Sequence, residues 1–342
     1  STFVSSVGKF VGQFEYKIAE YTGANNAIAC VNGTSALHLA LKMVGVERNT
    51  EVITQSLTFV ATANAIKYCD AYPVFLDVDL DTLGLSPISL KSWIENNTKW
   101  GTRNGELINI ETGRRISACV PMHTFGHPCR IDEIVDICNN YNIPVVEDAA
   151  ESLGSWYKQK HTGTFGDIGV LSFNGNKIIT TGGGGMLLFK NNELAKVAKH
   201  LSTQAKIYHP WEFIHDQIGY NYRMPNINAA LGVAQLEQLE NYIHIKREIA
   251  ELYKNFFENL SISFFIEPQD AYSNYWLNLI LLNSRKERDN FLKYLNENKI
   301  MSRPIWRLMN NLEFFRDCQT GELSNSKWLE DRVINLPSSV IK

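Results

Sequence analysis

Two short stretches of the sequence carry side chains that could take part in chemistry. The run VVEDAAESLGS, residues 145–155, begins as an apolar strand pattern and includes two acids, Glu147 and Asp148, where the apolar residues stop. In the second stretch, SFNGNKIITTGGGG at 172–185, small and apolar residues surround Lys177. A partly buried amine can form a Schiff base, and a strand-end carboxylate can hold a positively charged nitrogen. Most lysines are solvated surface charges, and this alternative stays open for Lys177.

A third stretch, NGTSALHLAL, places Thr34 and Ser35 at the predicted start of a helix. Such a start offers free backbone N–H groups, two hydroxyls and the positive end of the helix dipole, so it could bind a phosphate. Both residues are also common helix caps, and this simpler interpretation stays open. The glycine run 182–185 is followed neither by GK[ST] nor by a helical pattern. It is therefore neither a P-loop nor a dinucleotide fingerprint, and a tight turn is predicted.

The hydrophobic pattern predicts the elements that position these groups. Helical spacing occurs in 34–45 and 132–141, and strand-like apolar runs occur at 51–55, 73–79, 116–123, 143–148 and 168–173. Buried strands separated by helical patterns predict an α/β domain with a mainly parallel sheet. Ligands of such sheets bind at the carboxyl ends of the strands, where Asp148 and Ser172 are expected to lie.

The C-terminal part of the chain has a different pattern. Long helices are predicted at 226–242 and 245–260, and an amphipathic helix is predicted at 285–299. Because strands and helices do not alternate regularly here, this part is predicted to be a smaller α+β domain. The chain is therefore predicted to divide into a large domain, 1–240, and a small domain, 241–342.

Composition and charge exclude several classes of protein. The 342 residues are 44% hydrophobic, enough for a large core, and the net charge of −3 offers no basic surface for nucleic acid. No apolar run approaches the ~20 residues that span a bilayer, so no membrane segment is predicted. The start STFVSSVGKFVGQFE lacks the apolar stretch of a signal peptide. Six cysteines without a CxxC pair favour reduced thiols and a cytoplasmic location.

His123, His127 and Cys129 in MHTFGHPCR could suggest a metal site. Gly126 and Pro128 argue against a helix that would put these ligands on one face, and no second ligand group with zinc spacing is near. No metal is therefore predicted. His123 follows a predicted strand and could line a substrate pocket, with loop hydrogen bonding as the alternative.

A buried amine, a strand-end carboxylate and a phosphate cradle are together the groups that hold pyridoxal 5'-phosphate (PLP). Six ordered blocks point the same way: CVNGTSALHLAL, TQSLTFVATANAI, PVFLDVD, PVVEDAAESLGS, GTFGDIGVLSFNGNKIITTGGGGM and GYNYRMPNINAALG. Over nearly its whole length the chain resembles the PLP-dependent nucleotide-sugar aminotransferases of the DegT/DnrJ/EryC1/StrS family. The resemblance implies an aspartate-aminotransferase-type fold (fold type I), with a large, mainly parallel α/β domain and a smaller C-terminal α+β domain.

The resemblance also implies roles for individual residues. Lys177, five positions after Ser172, matches the Schiff-base lysine, and Asp148 matches the acid paired with the pyridine nitrogen. The other implied cofactor contacts are Thr34, Ser35 and Ser172 at the phosphate, Phe59 on the ring face, Glu151 near the ring hydroxyl, at a position that is often Gln, and Asn221 at the neighbouring subunit's phosphate. Many relatives have GEGG where this chain has GGGG at 182–185, so the role of that acid cannot be carried over.

The implied activity is the transfer of an amino group, from L-glutamate, to the 4-keto group of a nucleotide-linked 4-keto-6-deoxy sugar. FNGNKIITTGGGG and MHTFGHPCR are most similar to enzymes of legionaminic- or bacillosamine-type pathways. This similarity implies a product of the UDP-4-amino-4,6-dideoxy-N-acetylglucosamine type, for surface polysaccharide or lipopolysaccharide biosynthesis. The resemblance further implies a homodimer with composite sites, and Arg303 could bind the diphosphate. Two alternatives stay open: a sugar dehydratase on the same fold, whose members replace the lysine with His, and a non-catalytic protein that kept the fold.

Overall fold

The computed structural model describes residues 5–102, 105–260 and 262–340. Its helices are α1 Lys9–Thr22, α2 Gly33–Met43, α3 Val60–Tyr68, α4 Pro87–Asn97, α5 Ile131–Asn140, α6 Asn192–Ser202, α7 Asn226–Leu236, α8 Leu239–Glu258, α9 Arg285–Glu297 and α10 Ser324–Glu330. Its strands are β1 Asn26–Cys30, β2 Glu51–Gln55, β3 Tyr72–Leu76, β4 Thr98–Trp100, β5 Leu107–Asn109, β6 Ile116–Val120, β7 Val146–Asp148, β8 Trp156–Tyr157, β9 Lys160–His161, β10 Ile168–Ser172, β11 Gly185–Phe189, β12 Lys206–Ile207, β13 Ile214–His215, β14 Ser263–Phe264, β15 Ala271–Tyr272, β16 Asn278–Leu281, β17 Arg303–Pro304 and β18 Val333–Leu336. The outer ends of the two predicted domains, 1–4 and 341–342, lie outside the described residues.

The central sheet has the strand order β3–β2–β6–β7–β10–β11–β1. Strand β2 pairs in parallel with β3 and β6, and β10 pairs in parallel with β7. Parallel bridges at Cys119–Val145 and Met122–Asp148 join the β6 segment to the β7 segment. Strand β11 runs antiparallel to both of its neighbours, β10 and β1. The predicted α/β fold with a mainly parallel sheet is thus confirmed.

Helices cover both faces of this sheet because its strands carry apolar side chains on both sides. Alternate residues of a strand point to opposite faces, as Ala29 and Cys30 do at the end of β1. Helices α2, α3 and α6 pack on one face. On the other face, α1, α7 and α8 cover the part near β1, and α4 and α5 cover the part near β2. Burial on both faces explains why the strands read as continuous apolar runs in the sequence.

Two predicted elements of the large part are found with small changes at their ends. The helix predicted at 34–45 is α2, and its cap is Asn32, whose side chain accepts a hydrogen bond from the Ser35 N–H. The strand predicted at 116–123 ends at Val120, because its pairing with β2 ends there. The chain then continues beside β7, where Met122 forms a parallel bridge with Asp148.

The predicted helices 226–242 and 245–260 divide at a different place in the structure. Helix α7 ends and α8 begins around the turn at 237–238. This turn lets Val233 and Ile243 pack into the same apolar cluster beneath the sheet. The turn contains neither glycine nor proline, so the sequence carries no local sign of it.

The C-terminal part contains an antiparallel sheet with the order β14–β16–β18–β17, against which α8 and α9 pack. Strand β15 pairs with β8, which joins this part to the large part at Ala271 and Tyr157. Helix α8 contributes Ile243 to the core of the large part and Phe257 to the C-terminal core. A domain division at residue 240, near the start of α8, stays a prediction.

None of the helices within 5–102, 105–260 and 262–340 combines the length and the apolar character needed to cross a membrane.

Candidate active site

Asp148 ends β7 at the carboxyl edge of the central sheet and is 2% exposed. Its Oδ2 accepts a hydrogen bond from Thr62 Oγ1 at 2.6 Å, and its Oδ1 accepts one from the Ala150 backbone N–H at 3.1 Å. Its backbone N–H donates to the Pro121 carbonyl, and its carbonyl accepts from the His123 N–H, so the strand end is held in place. Burial raises the pKa of Asp148, because the charged form is poorly solvated there. A positive charge placed beside this carboxylate would therefore be strongly stabilised.

Glu151 and Lys177 form a hydrogen-bonded ion pair close to Asp148. Lys177 Nζ donates to Glu151 Oε1 at 3.2 Å, and the Phe125 backbone N–H donates to Oε2 at 2.9 Å. Glu151 is buried, and the Lys177 side chain is 10% exposed. Burial raises the pKa of Glu151 to about 7, although the charge of Lys177 opposes the shift. The three ionisable groups named from the sequence thus lie together.

Replacing Glu151 with glutamine is expected to change how the stability of the cofactor-free protein depends on pH. The carboxyl pKa is 4.5 in its ordinary state and about 7 in the folded protein, so the folded state holds an extra proton between these values. The stabilisation from this proton is complete below about pH 4.5 and is lost as the pH rises through about 7. Glutamine does not titrate. The melting temperature of the wild type should therefore fall by a few degrees relative to Glu151→Gln between about pH 5 and pH 8.

Thermal unfolding of both cofactor-free proteins across this pH range measures the effect. Glu258→Gln, a change of the same kind at the exposed end of α8, is the control. A melting-temperature difference between wild type and Glu151→Gln that stays constant with pH would contradict the ionisation of Glu151 in this range.

The N-terminus of α2 lies beside Ser172, at the end of β10. A side chain at Gly33 would bring its Cβ to 3.0 Å from the Ser172 Cβ, and one at Gly185 would collide with the Asn32 carbonyl oxygen. Glycine at these positions lets the helix start and the strand ends approach each other closely. Hydrogen bonds among the described residues leave the backbone N–H groups of Gly33 and Thr34 unused. This end of the site is therefore suited to an anion.

Three further residues named from the sequence lie around this group. Phe59 precedes α3, is 45% exposed, and has its ring centroid 5.8 Å from that of Trp306. Ser35 lies in the first turn of α2 and is half-buried. Asn221 is exposed, and its Oδ1 accepts hydrogen bonds from Arg223 of the same chain. Within the described part of the chain, Asn221 makes no hydrogen bond to the buried ionisable groups.

Of the two roles that the sequence left open for His123, the structure shows hydrogen bonding and not the lining of a pocket. It is fully buried, its Nε2 donates to Glu147 at 3.1 Å, and its Nδ1 accepts the Cys129 backbone N–H at 3.2 Å. Glu147 also accepts three backbone N–H groups from the loop 163–166, so the pair anchors that loop to the end of β7. No group of metal-ligating side chains is arranged to hold an ion in the described ranges. Arg303 is exposed and bonds within the C-terminal part, and its diphosphate role stays a prediction.

Two residues at the site were not named from the sequence. Thr62 binds Asp148 and stands three positions after Phe59, inside the block TQSLTFVATANAI, so helical spacing from Phe59 could have indicated it. The ring of Trp276 lies over the amine of Lys177, with 4.0 Å between Nζ and the ring centroid. Trp276 belongs to the C-terminal part, and no pattern in the sequence connects it with Lys177.

Comparison with known proteins agrees with the geometry of the site. The DegT/DnrJ/EryC1/StrS aminotransferase family matches residues 1–340 of the sequence. This chain belongs to that family. Aminotransferases of the family depend on PLP, so both the family and the cofactor predicted from the sequence are confirmed.

The individual relatives cover most of the chain. GDP-perosamine synthase of Escherichia coli O157:H7 is 39% identical over 341 residues, which cover 99% of this chain and 87% of that protein. EpsN of Bacillus subtilis strain 168, named as a pyridoxal phosphate-dependent aminotransferase, is 40% identical over 316 residues, 92% of this chain and 78% of that protein. Among solved structures, the aminotransferase TlmJ from Streptoalloteichus hindustanus gives a TM-score of 0.87 at 27% identity, covering 97% of this chain and 86% of the other. Fold type I is thereby confirmed.

The residues of this family member fit PLP. Asp148 and Glu151 are two buried carboxylates beside one amine, that of Lys177, so a protonated ring nitrogen would supply the positive charge that balances the second carboxylate. The unused N–H groups at the start of α2 are suited to a phosphate. The half-exposed ring of Phe59 offers a face on which a flat ring can stack. The individual contacts with the cofactor stay predictions.

Proposed function

We propose that this protein transfers an amino group from L-glutamate to the keto carbon of a nucleotide-linked 4-keto-6-deoxy sugar. The observation that carries the proposal is the amine of Lys177, held 3.2 Å from Glu151 and beside the buried Asp148 at the carboxyl edge of the sheet. A relative named GDP-perosamine synthase, 39% identical over nearly the whole chain, supports a nucleotide-linked amino sugar as the product. A relative named as a spore coat polysaccharide biosynthesis protein supports a role in polysaccharide synthesis.

Each residue of the site has a defined task in this proposal. PLP, when bound, supplies a ring that accepts electrons from the carbon losing its proton. Lys177 Nζ takes a proton from the Cα of the donor and later returns one to the carbon of the acceptor sugar. The carboxylate of Asp148 keeps the ring nitrogen protonated, because its own charge is buried and unpaired without that proton. Thr34, Ser35 and Ser172 bind the phosphate, Phe59 covers one face of the ring, and Glu151 bonds near the ring hydroxyl.

The nucleotide is the part of the substrate on which the sequence and the relatives differ. The sequence predicts a UDP-linked product of the 4-amino-4,6-dideoxy-N-acetylglucosamine type, whereas three relatives are named GDP-perosamine synthase. The test is a panel of UDP-, GDP- and dTDP-linked 4-keto-6-deoxy sugars, each incubated with L-glutamate and the PLP-loaded protein. One of them should yield an amino sugar and an equal amount of 2-oxoglutarate, both measured by mass spectrometry.

The same panel separates the alternatives. A dehydratase would release a deoxygenated sugar without consuming L-glutamate in a stoichiometric amount, and the presence of Lys177 argues against it. A non-catalytic protein would leave every sugar unchanged. Either result would overturn the proposed transamination.

We further propose that the protein works as a homodimer whose sites are shared between subunits. Asn221 is exposed at the surface in a single chain, where it contacts Arg223 and none of the buried ionisable groups within the described residues. Exposure suits a residue that reaches the phosphate in the neighbouring subunit. The alternative is an asparagine that only stabilises its own turn.

Mixing two inactive variants is expected to restore activity if Asn221 acts across the interface. One subunit carries Lys177→Ala and the other carries Asn221→Asp, which places a negative charge beside the phosphate. In the mixed dimer one site combines an intact Lys177 with an intact Asn221, so activity should rise well above that of either parent, toward half the wild-type value per dimer. Activity is measured after reassembly, with heterodimer formation confirmed by mass spectrometry. Mixed dimers as inactive as both parents would contradict the shared site.

A further inference from the structure

The amine of Lys177 has an aromatic neighbour as well as a carboxylate. Trp276 is 6% exposed, and the centroid of its ring lies 4.0 Å from Lys177 Nζ. An ammonium group over an aromatic face is attracted by the negative face of the ring, most strongly where water is excluded. Glu151 holds the same amine at 3.2 Å. The amine therefore has two fixed neighbours, one from the large part of the chain and one from the C-terminal part.

Hydrogen bonds fix the orientation of Trp276. Its Nε1 donates to the carbonyl of Asn176 at 2.7 Å, and its backbone N–H donates to Asn274 Oδ1 at 2.8 Å. The Asn274 side chain in turn donates to the carbonyls of Glu151 and Leu153, both at 2.9 Å. The ring is therefore tied to the segment that carries Lys177, and the backbone of Trp276 is tied through Asn274 to the segment that carries Glu151.

Lys246 also contacts Trp276, at its backbone carbonyl. This lysine of α8 is 6% exposed, and its Nζ donates to the carbonyls of Trp276 at 3.0 Å and Ser338 at 2.7 Å. Burial lowers the pKa of Lys246 to about 8. An apolar side chain would fill this position without the cost of burying a cation. The buried amine of Lys246 therefore joins two backbone carbonyls, one of which is that of Trp276.

We propose that Trp276 is a positioning residue for Lys177, and that Lys246 holds Trp276 in the orientation that this requires. A lysine side chain has four rotatable bonds, and an amine that must move a proton between two carbons has to start from one place. The ring restricts the amine on one side while Glu151 restricts it on another. The positioning of Lys177 is measured in the cofactor-free protein. Its failure would leave the proposed transamination standing, and failure of the transamination would leave the positioning role standing.

The test measures how fast Lys177 reacts in the cofactor-free protein. Wild type and variants are treated with a trace of acetic anhydride at fixed pH, far below their melting temperatures. Acetylation of each lysine-containing peptide is then measured by mass spectrometry, and the surface lysines serve as internal standards. Trp276→Met, which keeps apolar volume without an aromatic face, should raise the acetylation rate of Lys177 about 2- to 10-fold. Trp276→Phe, which keeps a face, should stay within about 2-fold of wild type.

Two further variants separate positioning from simple packing. Lys246→Met leaves the ring in the chain but removes its support, and it should raise the Lys177 rate by a smaller factor than Trp276→Met does. The matched control is Arg288→Met: Arg288 is also a buried cation of the C-terminal part, and it donates to the Glu330 carbonyl and to Asp289. This control should leave the Lys177 rate unchanged.

A packing role alone would lower the melting temperatures and leave the Lys177 rate at the wild-type value in all variants. That result, or equal rates for Trp276→Met and Trp276→Phe, would overturn the proposal. Equal effects of Lys246→Met and Arg288→Met would also overturn it, because the change would then reflect general loosening. If Trp276→Met does not fold, the comparison of Lys246→Met with Arg288→Met decides the matter.

Discussion

Lys177→Ala is expected to lower the rate of transamination by at least about 10³-fold, because it removes the amine that takes a proton from the donor carbon and later gives one to the acceptor carbon. The fold should survive the change. The Lys177 side chain is partly exposed and makes its hydrogen bond to Glu151. Without its partner, Glu151 can take up a proton and stay buried as a neutral acid. The PLP-loaded variant is assayed for 2-oxoglutarate release, and its melting temperature is compared with that of the wild type.

Chemical labelling identifies the same residue independently. Borohydride reduction of the PLP-loaded wild type should attach the cofactor permanently to the peptide that contains Lys177. Lys246, a buried lysine in the C-terminal part, is the internal control and should remain unlabelled. A label on Lys246 or on another lysine, or a Lys177→Ala variant with near-normal turnover, would show that the assignment is wrong.

Asp148→Asn is expected to lower the rate by about 10²-fold or more, with little change in stability. The asparagine has the same shape, and its Oδ1 can still accept the Ala150 N–H. Its amide can donate to the Thr62 hydroxyl, which would turn to accept. The charge is lost, however, so nothing keeps the ring nitrogen of the cofactor protonated. The rate is measured with saturating PLP, so that weaker cofactor binding does not account for the loss.

Asp77→Asn is the matched control for this prediction. Asp77 also follows a buried strand, β3, and its carboxylate accepts hydrogen bonds from the backbone N–H groups of Asn325 and Ser326. It lies outside the group formed by Asp148, Glu151 and Lys177. The control should lose stability and keep its turnover. An Asp148→Asn variant that turns over at nearly the wild-type rate would refute the electrostatic role of Asp148.

Features of this protein that depend on local spacing along the chain could be predicted from its residues. Apolar runs of five to eight residues indicated the strands, because burial on both faces of a sheet leaves no room for alternating polar residues. The end of such a run placed Asp148 at the carboxyl edge of the sheet. The start of a helical pattern at Thr34 and Ser35 predicted free backbone N–H groups, and those of Gly33 and Thr34 are unused in the structure. These signals depend on a few neighbouring residues. They can therefore be recognised before the contacts between distant segments of the chain are known.

Which distant groups meet at the site depends on how the chain folds in three dimensions. Trp276 reaches Lys177 because its indole N–H bonds to Asn176, 100 positions earlier in the chain. Thr62 reaches Asp148 across 86 positions because α3 starts beside the end of β7. Contacts of this kind depend on strand order and on how the C-terminal part packs against the sheet, and no local pattern encodes either.

The tertiary structure also shows which neighbouring residues explain two motifs of the sequence. The sequence left pocket lining and hydrogen bonding open for His123, and the parallel bridge between its segment and β7 buries it against Glu147. The glycine run looked like a turn, and its last member, Gly185, is also needed because β11 pairs with β1 and brings the chain against the Asn32 carbonyl. In both cases the residue type was visible in the sequence, but the neighbour that explains it comes from a strand pairing that only the folded chain creates.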